Sequence, residues 1–357
     1  MTLLTPASIA DIGELLRQPG ARYIPCGSGS KCHWGSRGGG VYLSTARLNR
    51  VIAYAPADLT VTVEAGLKLQ ELQGILATKG QFWPVDPLYP DQATVGGVIA
   101  TADTGSLRYR YGGVRDLVLG IEFVRADGQV AKAGGRVVKN VAGYDLMKLL
   151  TGSRGRLALI TQVTLRLYPL PRAIQQQLWL GSLMEVGSLA DRLAQSTLTP
   201  AAVDLLSPAL LDGHHWGIQV TWHGLVPELD RDWIGALSAG VPLPDLTSPW
   251  PSQAVLVKFG IPPAAGIGIL GDLIAAYPQA CIQWHRRPGL GRLGLAAWDP
   301  ESVGVWRRRL QQVGGFLQVL AAPDWIKEVD PDGIPPAQQA LEARLKQLWD
   351  PQGRFGE

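Results

Sequence analysis

The segment from Gly134 to Pro169, GGRVVKNVAGYDLMKLLTGSRGRLALITQVTLRLYP, runs glycine-punctuated polar turns straight into a long alternating apolar strand. A stretch of this kind sets backbone against a ligand, because glycine admits close approach and the strand behind it is anchored in a core. Two further segments precede it: PCGSGSKCHWG (25 to 35) and DPLYPDQATVGGVIATADTGSLRYRYGGVRDLVLG (86 to 120). All three hold more Gly, Ser and Thr than a core needs.

In Gly27-Ser28-Gly29-Ser30-Lys31 the alternating glycines allow φ > 0, so successive N–H groups can face one concavity suited to a pyrophosphate. Lys31 adds a point charge and the serines add hydroxyl donors. A lone Gly-Ser run is most often a plain turn. Here Ala93-Thr94-Val95-Gly96-Gly97 opens an apolar, helix-compatible run through Val98 and Ile99, whose N–H groups can serve a second part of the same anion. The nicotinamide-binding pattern is absent: no G-x-G-x-x-G ends a strand, opens a helix and has an acidic residue about 20 positions later.

These three loops, in this order, resemble the FAD-binding domain of the vanillyl-alcohol oxidase superfamily, the PCMH type. Within it, Lys139-Asn140-Val141-Ala142-Gly143-Tyr144-Asp145-Leu146 followed by Gly152-Ser153-x-Gly155 most resembles the E-subunit family of bacterial glycolate oxidases, also called glycolate dehydrogenases. The resemblance is strong from about Arg22 to Pro171 and thin beyond. It implies an α+β fold: a two-lobed FAD-binding domain (1–171), an α+β cap built on a mainly antiparallel sheet (172–322), and a segment returning to the FAD domain (323–357). It implies a cofactor site made of Cys26, Gly27, Ser28, Gly29, Ser30, Lys31, Trp34 and Gly35 in the first loop. Pro87, Ala93, Thr94, Val95, Gly96, Gly97, Thr101, Thr104 and Gly105 come from the second, and Asn140, Gly143, Tyr144, Asp145, Gly155 and Ile160 from the third. Some relatives attach FAD through a histidine in the first loop; Ser30 occupies that position, so FAD is expected to bind non-covalently. Relatives continue past Gly353-Arg354-Phe355 with an Asn-Pro-Gly-Arg element where this sequence stops at Glu357.

With 357 residues, 46% hydrophobic and 18% charged, the chain suggests two domains with substantial cores. A balance of 33 basic and 30 acidic residues gives no basic groove for nucleic acid. The N-terminus reads as an amphipathic helix (Ile9, Ile12, Leu15, Leu16) with Thr5 as N-cap and Pro6 in the first turn, not as a signal peptide. No apolar run reaches the roughly 20 residues of a membrane span. Cys26, Cys32 and Cys281 form neither an even framework nor a C-x-x-C pair, which points to the cytoplasm, with any inner-membrane association made through partners. Three thiols are too few for an iron–sulfur cluster, and core cysteines are the plainer reading. No metal site is expected.

Past Pro169-Leu170-Pro171, β runs at 174–180, 217–222, 255–259, 280–284, 292–297 and 316–320 alternate with helices at 183–195, 228–238, 264–277 and 300–312, and a last helix covers 336–348. Relatives oxidising 2-hydroxy acids carry a cap histidine cluster and a carboxylate-binding arginine. The nearest candidates are His214, His215, His223, His285, Arg286 and Arg287, and none has an evident partner, so the catalytic residues stay unassigned. Arg307-Arg308-Arg309 reads as a solvated helix face or an acidic-partner surface. Most of the twelve tryptophans read as core, with Trp83 beside the flavin by resemblance.

Two functions follow. One is the FAD-binding subunit of a glycolate oxidase-like complex with a catalytic flavoprotein subunit and an iron–sulfur subunit. The other is a self-sufficient FAD-dependent oxidoreductase of a 2-hydroxy acid or alcohol. A flavin reductase of cell-wall precursor synthesis shares the domain type, but the KNVAGYDL run argues against it.

Overall fold

A computed structural model describes residues 2–32, 34, 39–135, 144–211, 213–224, 250, 254–323 and 329–356. Helix α1 (Ile9–Arg17) starts at Ser8, three residues later than Thr5 would have it. The reason is chemical: Asp11 stands three residues after Ser8 and returns the cap, its carboxylate accepting the Ser8 N–H at 3.0 Å while Ser8 Oγ accepts the Asp11 N–H at 3.2 Å.

Strands β1 (Leu3–Leu4), β2 (Tyr23–Cys26) and β3 (Val41–Ser44) form a small parallel sheet in the order β1-β3-β2. A five-stranded antiparallel sheet, β4-β5-β9-β7-β8, joins β4 (Val51–Ala55), β5 (Thr60–Glu64), β7 (Val118–Val124), β8 (Val130–Gly134) and β9 (Leu159–Arg166). A two-residue ribbon pairs β6 (Gln81–Phe82) with β10 (Tyr168–Pro169). Helices α2 (Leu69–Ala77), α3 (Val95–Thr101), α4 (Arg108–Tyr111), α5 (Val114–Leu117) and α6 (Leu146–Leu150) complete this part of the chain. Its core gathers Val63, Leu72, Val98, Ile99, Phe123 and Val163. Trp83 belongs to that core, fully buried, and does not wall the cleft described below.

The second α+β unit is a seven-stranded antiparallel sheet, β11-β13-β12-β15-β16-β14-β17. It comprises β11 (Ile174–Gly181), β12 (Ala202–Leu206), β13 (Trp216–His223), β14 (Val255–Gly260), β15 (Cys281–His285), β16 (Leu290–Leu295) and β17 (Phe316–Ala321). The sequence patterns gave every strand but β12, whose AVDLL run is too short to show a period; the expected helix at 228–238 lies outside the described residues. One face packs Val203, Ile218, Val220, Phe259 and Trp284 against helices α7 (Leu183–Gln195), α8 (Gly266–Ala276) and α9 (Pro300–Gln312). The alternate positions form the opposite face: Asp204, Gln219, Gln283, His285, Lys258 and Arg292, paired across strands as Asp204 with His285 and Lys258 with Arg292. These side chains are polar and still enclosed, because the face lies on the segment 86–111 of the first unit.

After β17 the chain turns back. Helix α10 (Pro336–Trp349) leads to a stretch in which Phe355 pairs with Tyr23 beside β2, adding its backbone to the small sheet. Arg354 is 3% exposed and donates to the carbonyls of Leu15, Leu16, Gln18 and Ala21, at and just past the end of α1.

Candidate functional site

The first and second glycine-rich loops and the strand end of the third meet in one open cleft. Of the residues expected at the cofactor, Cys26, Gly27, Ser28, Gly29, Ser30, Lys31, Trp34, Ala93, Thr94, Gly96, Gly97, Thr101, Gly155 and Ile160 line it. Gly29 sits at φ +87°, the left-handed turn that a nest of N–H groups needs. Gly27 presses on Thr94: a Cβ there would lie 2.0 Å from Thr94 Oγ1. Thr94 in turn caps α3, its Oγ1 accepting the Gly97 N–H at 3.2 Å, so one contact fixes the first loop against the start of the helix. Gly155, at φ +76°, closes on Pro25 with a virtual Cβ at 2.7 Å. The arrangement fits a pyrophosphate physically: glycine-rich backbone lines the cleft from two sides, and Gly27 and Gly155 are packed so closely on Thr94 and Pro25 that no side chain fits there.

Other expected residues stand elsewhere. Val95 is buried in the core behind α3. Pro87, Thr104 and Gly105 lie at the junction with the second sheet, where Gly105 donates its N–H to Asp86 at 3.0 Å. Thr104 Oγ1 is buried there without a hydrogen-bond partner among the described residues. Tyr144 is 90% exposed and does not line the cleft. Asp145 caps α6, accepting the Lys148 N–H at 3.2 Å, and Lys148 Nζ pairs with it at 2.6 Å. Burial opposes ionisation of Asp145, but the hydrogen bonds and charge of Lys148 hold its pKa below the usual range. Asp145→Asn should therefore keep α6 while Asp145→Ala costs about 1 kcal/mol in urea unfolding, with the FAD affinity of both like the parent's. Gly35, Asn140 and Gly143 lie outside the described residues.

Arg154, Arg156 and Asp332 also line the cleft, and the sequence did not single them out. Asp332 accepts from Arg154 at 2.8 Å and Arg156 at 3.1 Å, and is held to β17 by Gln318 at 3.0 Å. Gly356 reaches the same wall from the returning segment.

The junction between the two sheets holds a second polar assembly. Lys31 pairs with Asp103 at 2.7 Å, and Arg292 approaches Asp103 at 3.6 Å. Burial works against the Asp103 carboxylate, yet Lys31 and Arg292 keep its pKa below the ordinary range. Burial pushes the Asp86 carboxyl up to about 6. His285 Nδ1 lies 2.8 Å from Asp204, which also accepts from Ser106 and from Gln283. Of the histidines weighed from sequence, His285 alone joins this assembly; His223 Nδ1 lies 2.9 Å from the Tyr111 hydroxyl at its margin. Arg286 pairs with Asp191 and Arg287 stacks on Tyr109, away from it. The missed members, Asp204, Lys258 and Arg292, were legible only as polar positions of period two once their strands were known to share a sheet.

Lys258 donates to the Ala102 carbonyl at 3.3 Å, and burial pushes its amine down to about 8. Between that value and the roughly 10.4 of an open lysine, the unfolded chain holds a proton that the folded chain has shed. Stability should thus rise with pH across this window, and Lys258→Met should flatten the rise in urea midpoints measured along it.

Among the described residues no group of three or more His, Cys, Asp or Glu could hold a metal, and no helix is long and apolar enough to cross a membrane. The family model for the FAD binding domain matches residues 2–134. The chain is 33% identical over 193 residues to glycolate oxidase subunit GlcD of Bacillus subtilis, covering 53% of this chain and 41% of that protein. It is 37% identical over 148 residues to glycolate oxidase subunit GlcE of Escherichia coli (41% and 42%), and 42% identical over 134 residues to a mitochondrial D-lactate dehydrogenase [cytochrome] of Arabidopsis thaliana (38% and 23%). The chain spans less than half the length of these curated relatives. In fold it is similar to an alkyldihydroxyacetonephosphate synthase, with a TM-score of 0.69 at 16% identity over 99% of this chain and 76% of the other. Residues 2–134 of this chain thus match an FAD binding domain, the fold is mixed α+β, and the cofactor is FAD.

Proposed function

We propose that the chain is the FAD-binding subunit of a 2-hydroxy acid oxidoreductase of the glycolate oxidase type, assembled with a catalytic flavoprotein and an iron–sulfur subunit. The same proposal divides the chain into a flavin domain to 171, a cap to 322 and a returning segment. The observation that carries the reading is the convergence of both glycine-rich loops and Gly155 on one cleft, together with two relatives named as glycolate oxidase subunits. The pyrophosphate lies between the N–H groups of Gly27 to Lys31 and the start of α3, and Ile160 borders the same pocket. FAD supplies two-electron redox chemistry when bound. The linkage is non-covalent, Ser30 standing where an attachment residue would be.

Oxidation of a 2-hydroxy acid needs a base for the hydroxyl proton and a cation for the carboxylate. His285 and Arg292 have the right chemistry at the junction, but each is already engaged, His285 by Asp204 and Arg292 by Asp103. That engagement supports catalysis in a partner. The second reading, a self-sufficient oxidoreductase, draws on the same four side chains: exchange of Asp103 for a substrate carboxylate on Arg292 would make the junction an active site. Acid precipitation of the purified protein should release yellow FAD to the supernatant, and glycolate or D-lactate should not bleach the flavin of the isolated, anaerobic chain. Pull-down from cells co-expressing the two partner subunits should recover a stable assembly. Rapid bleaching of the isolated chain would establish the self-sufficient enzyme instead, and flavin retained in the pellet would refute the non-covalent linkage.

A further inference from the structure

Arg154 holds a backbone conformation that its side chain makes costly. Its φ is +53°, in the left-handed region, between Gly152 at +86° and Gly155 at +76°, where a third glycine would sit without strain. The backbone is pinned there, because the Gly152 and Arg154 N–H groups donate to the Ile99 and Ala100 carbonyls near the end of α3, at 3.0 and 2.7 Å. A side chain kept at such a position points to a task for it. The guanidinium meets Asp332 at 2.8 Å, and the two side chains are only 14% and 10% exposed. Asp332 is fastened to the second unit. Its carboxylate accepts from Gln318 of β17 at 3.0 Å, and the Val319 N–H donates to the Pro331 carbonyl at 2.8 Å. Asp330 accepts the Asp332 and Gly333 N–H groups, both at 3.0 Å, and Arg307 of α9 donates to the Asp330 carbonyl at 2.7 Å.

We propose that Arg154 and Asp332 are positioning residues for the cofactor: their ion pair latches the returning segment onto the cleft wall and so retains FAD. The inference rests on the assignment of this cleft to FAD. Both residues line the cleft, so the pair joins the wall made by the third loop to the wall made by the segment that ends in Gly356. Arg156 adds a second, more exposed contact to the same carboxylate at 3.1 Å. Burial pushes the Arg154 pKa below the usual arginine value, and the Asp332 charge opposes that push, as a pair must when a cation is enclosed. Each contact to Asp332 uses a single guanidinium nitrogen, Nη1, so charge carries the pair and a bidentate fork does not. Loss of one partner from an enclosed pair acts mainly on the rate at which a ligand leaves.

The test uses the full chain loaded with FAD, with release followed as the rise of free flavin fluorescence on dilution. Arg154→Gly removes the guanidinium while suiting the left-handed backbone, and release should quicken about fivefold or more. Asp332→Asn, which keeps the shape and removes the charge, should quicken it similarly. The double variant should release no faster than Asp332→Asn alone, since both changes remove one interaction. Arg154→Lys keeps the charge and the costly φ and should recover most of the retention. Release that is unchanged or slower in Arg154→Gly and Asp332→Asn overturns the proposal, as do effects that multiply in the double variant. Arg154→Lys as leaky as Arg154→Gly assigns the effect to packing and overturns the latch too. Gly27→Val decides the cleft assignment separately: if it binds FAD as the parent does, the cleft is not the FAD site and the latch falls with it. A defective Gly27→Val beside an unchanged Arg154→Gly overturns the latch alone.

Discussion

Gly27→Val should abolish FAD uptake. The virtual Cβ of Gly27 lies 2.0 Å from Thr94 Oγ1 and 3.0 Å from Thr94 Cβ and Cγ2, far inside contact distance. Thr94 cannot turn aside freely, because its hydroxyl caps α3 and receives the Gly97 N–H. A valine therefore forces the first loop off the helix start, and the two sets of N–H donors no longer face one another. A loss of at least about 100-fold in affinity, or roughly 2.7 kcal/mol, is expected in a flavin fluorescence titration. Gly29→Val should act through the backbone instead. Nothing lies within 4 Å of its virtual Cβ, but φ +87° is a region that a β-branched residue shuns. Gly74→Ala, on the open face of α2, controls for a general effect of adding carbon and should bind normally. Parental affinity in Gly27→Val would remove this cleft as the FAD site.

The second large effect is on stability. Arg354→Ala leaves the carbonyls of Leu15, Leu16, Gln18 and Ala21 without their shared donor and opens a hole where the guanidinium also covers the Tyr23 ring at 5.5 Å. Asp350 would keep the backbone N–H groups of residues 354 and 355, held at 2.7 and 2.8 Å, so the loss falls on the end of α1. Leaving buried carbonyl acceptors unpaired costs about 1–3 kcal/mol each, to be read as a lowered urea midpoint with α1 exchanging its amides early. Arg354→Lys should recover little, since one ammonium cannot reach four carbonyls in a fan. A midpoint within error of the parent would show that Phe355 and Asp350 seat the segment unaided.

Much of the architecture was legible because every strand of the second sheet but β12 shows an apolar face of period two, and α7 and α9 cover the expected 183–195 and 300–312, the structure capping them with Ser182 and Asp299. The cleft was legible too, since glycines that must meet backbone leave a mark in one dimension. Partnership between distant polar residues leaves no such mark. Asp204 sits in an apolar run, Arg292 between glycine and leucine, and Asp332 among prolines and aspartates; only the sheet order and the returning segment bring them to His285, Asp103 and Arg154. Tyr144 and Asp145 show the converse. A motif adjacent to the cofactor by resemblance has its aspartate spent on a helix cap and its tyrosine turned to solvent.

The cleft wall draws on residues 24 to 32 and Trp34, on Ala93, Thr94, Gly96 and Gly97, on Arg154 to Arg156, and then on Asp332 and Gly356 from far along the chain. A ribosome that has extruded the whole flavin domain has still not made the carboxylate that neutralises Arg154 and Arg156, nor the strand that lies along Tyr23. The finished cleft therefore depends on residues that follow the whole second sheet in the chain, so a flavin domain cut off before them would have an incomplete wall.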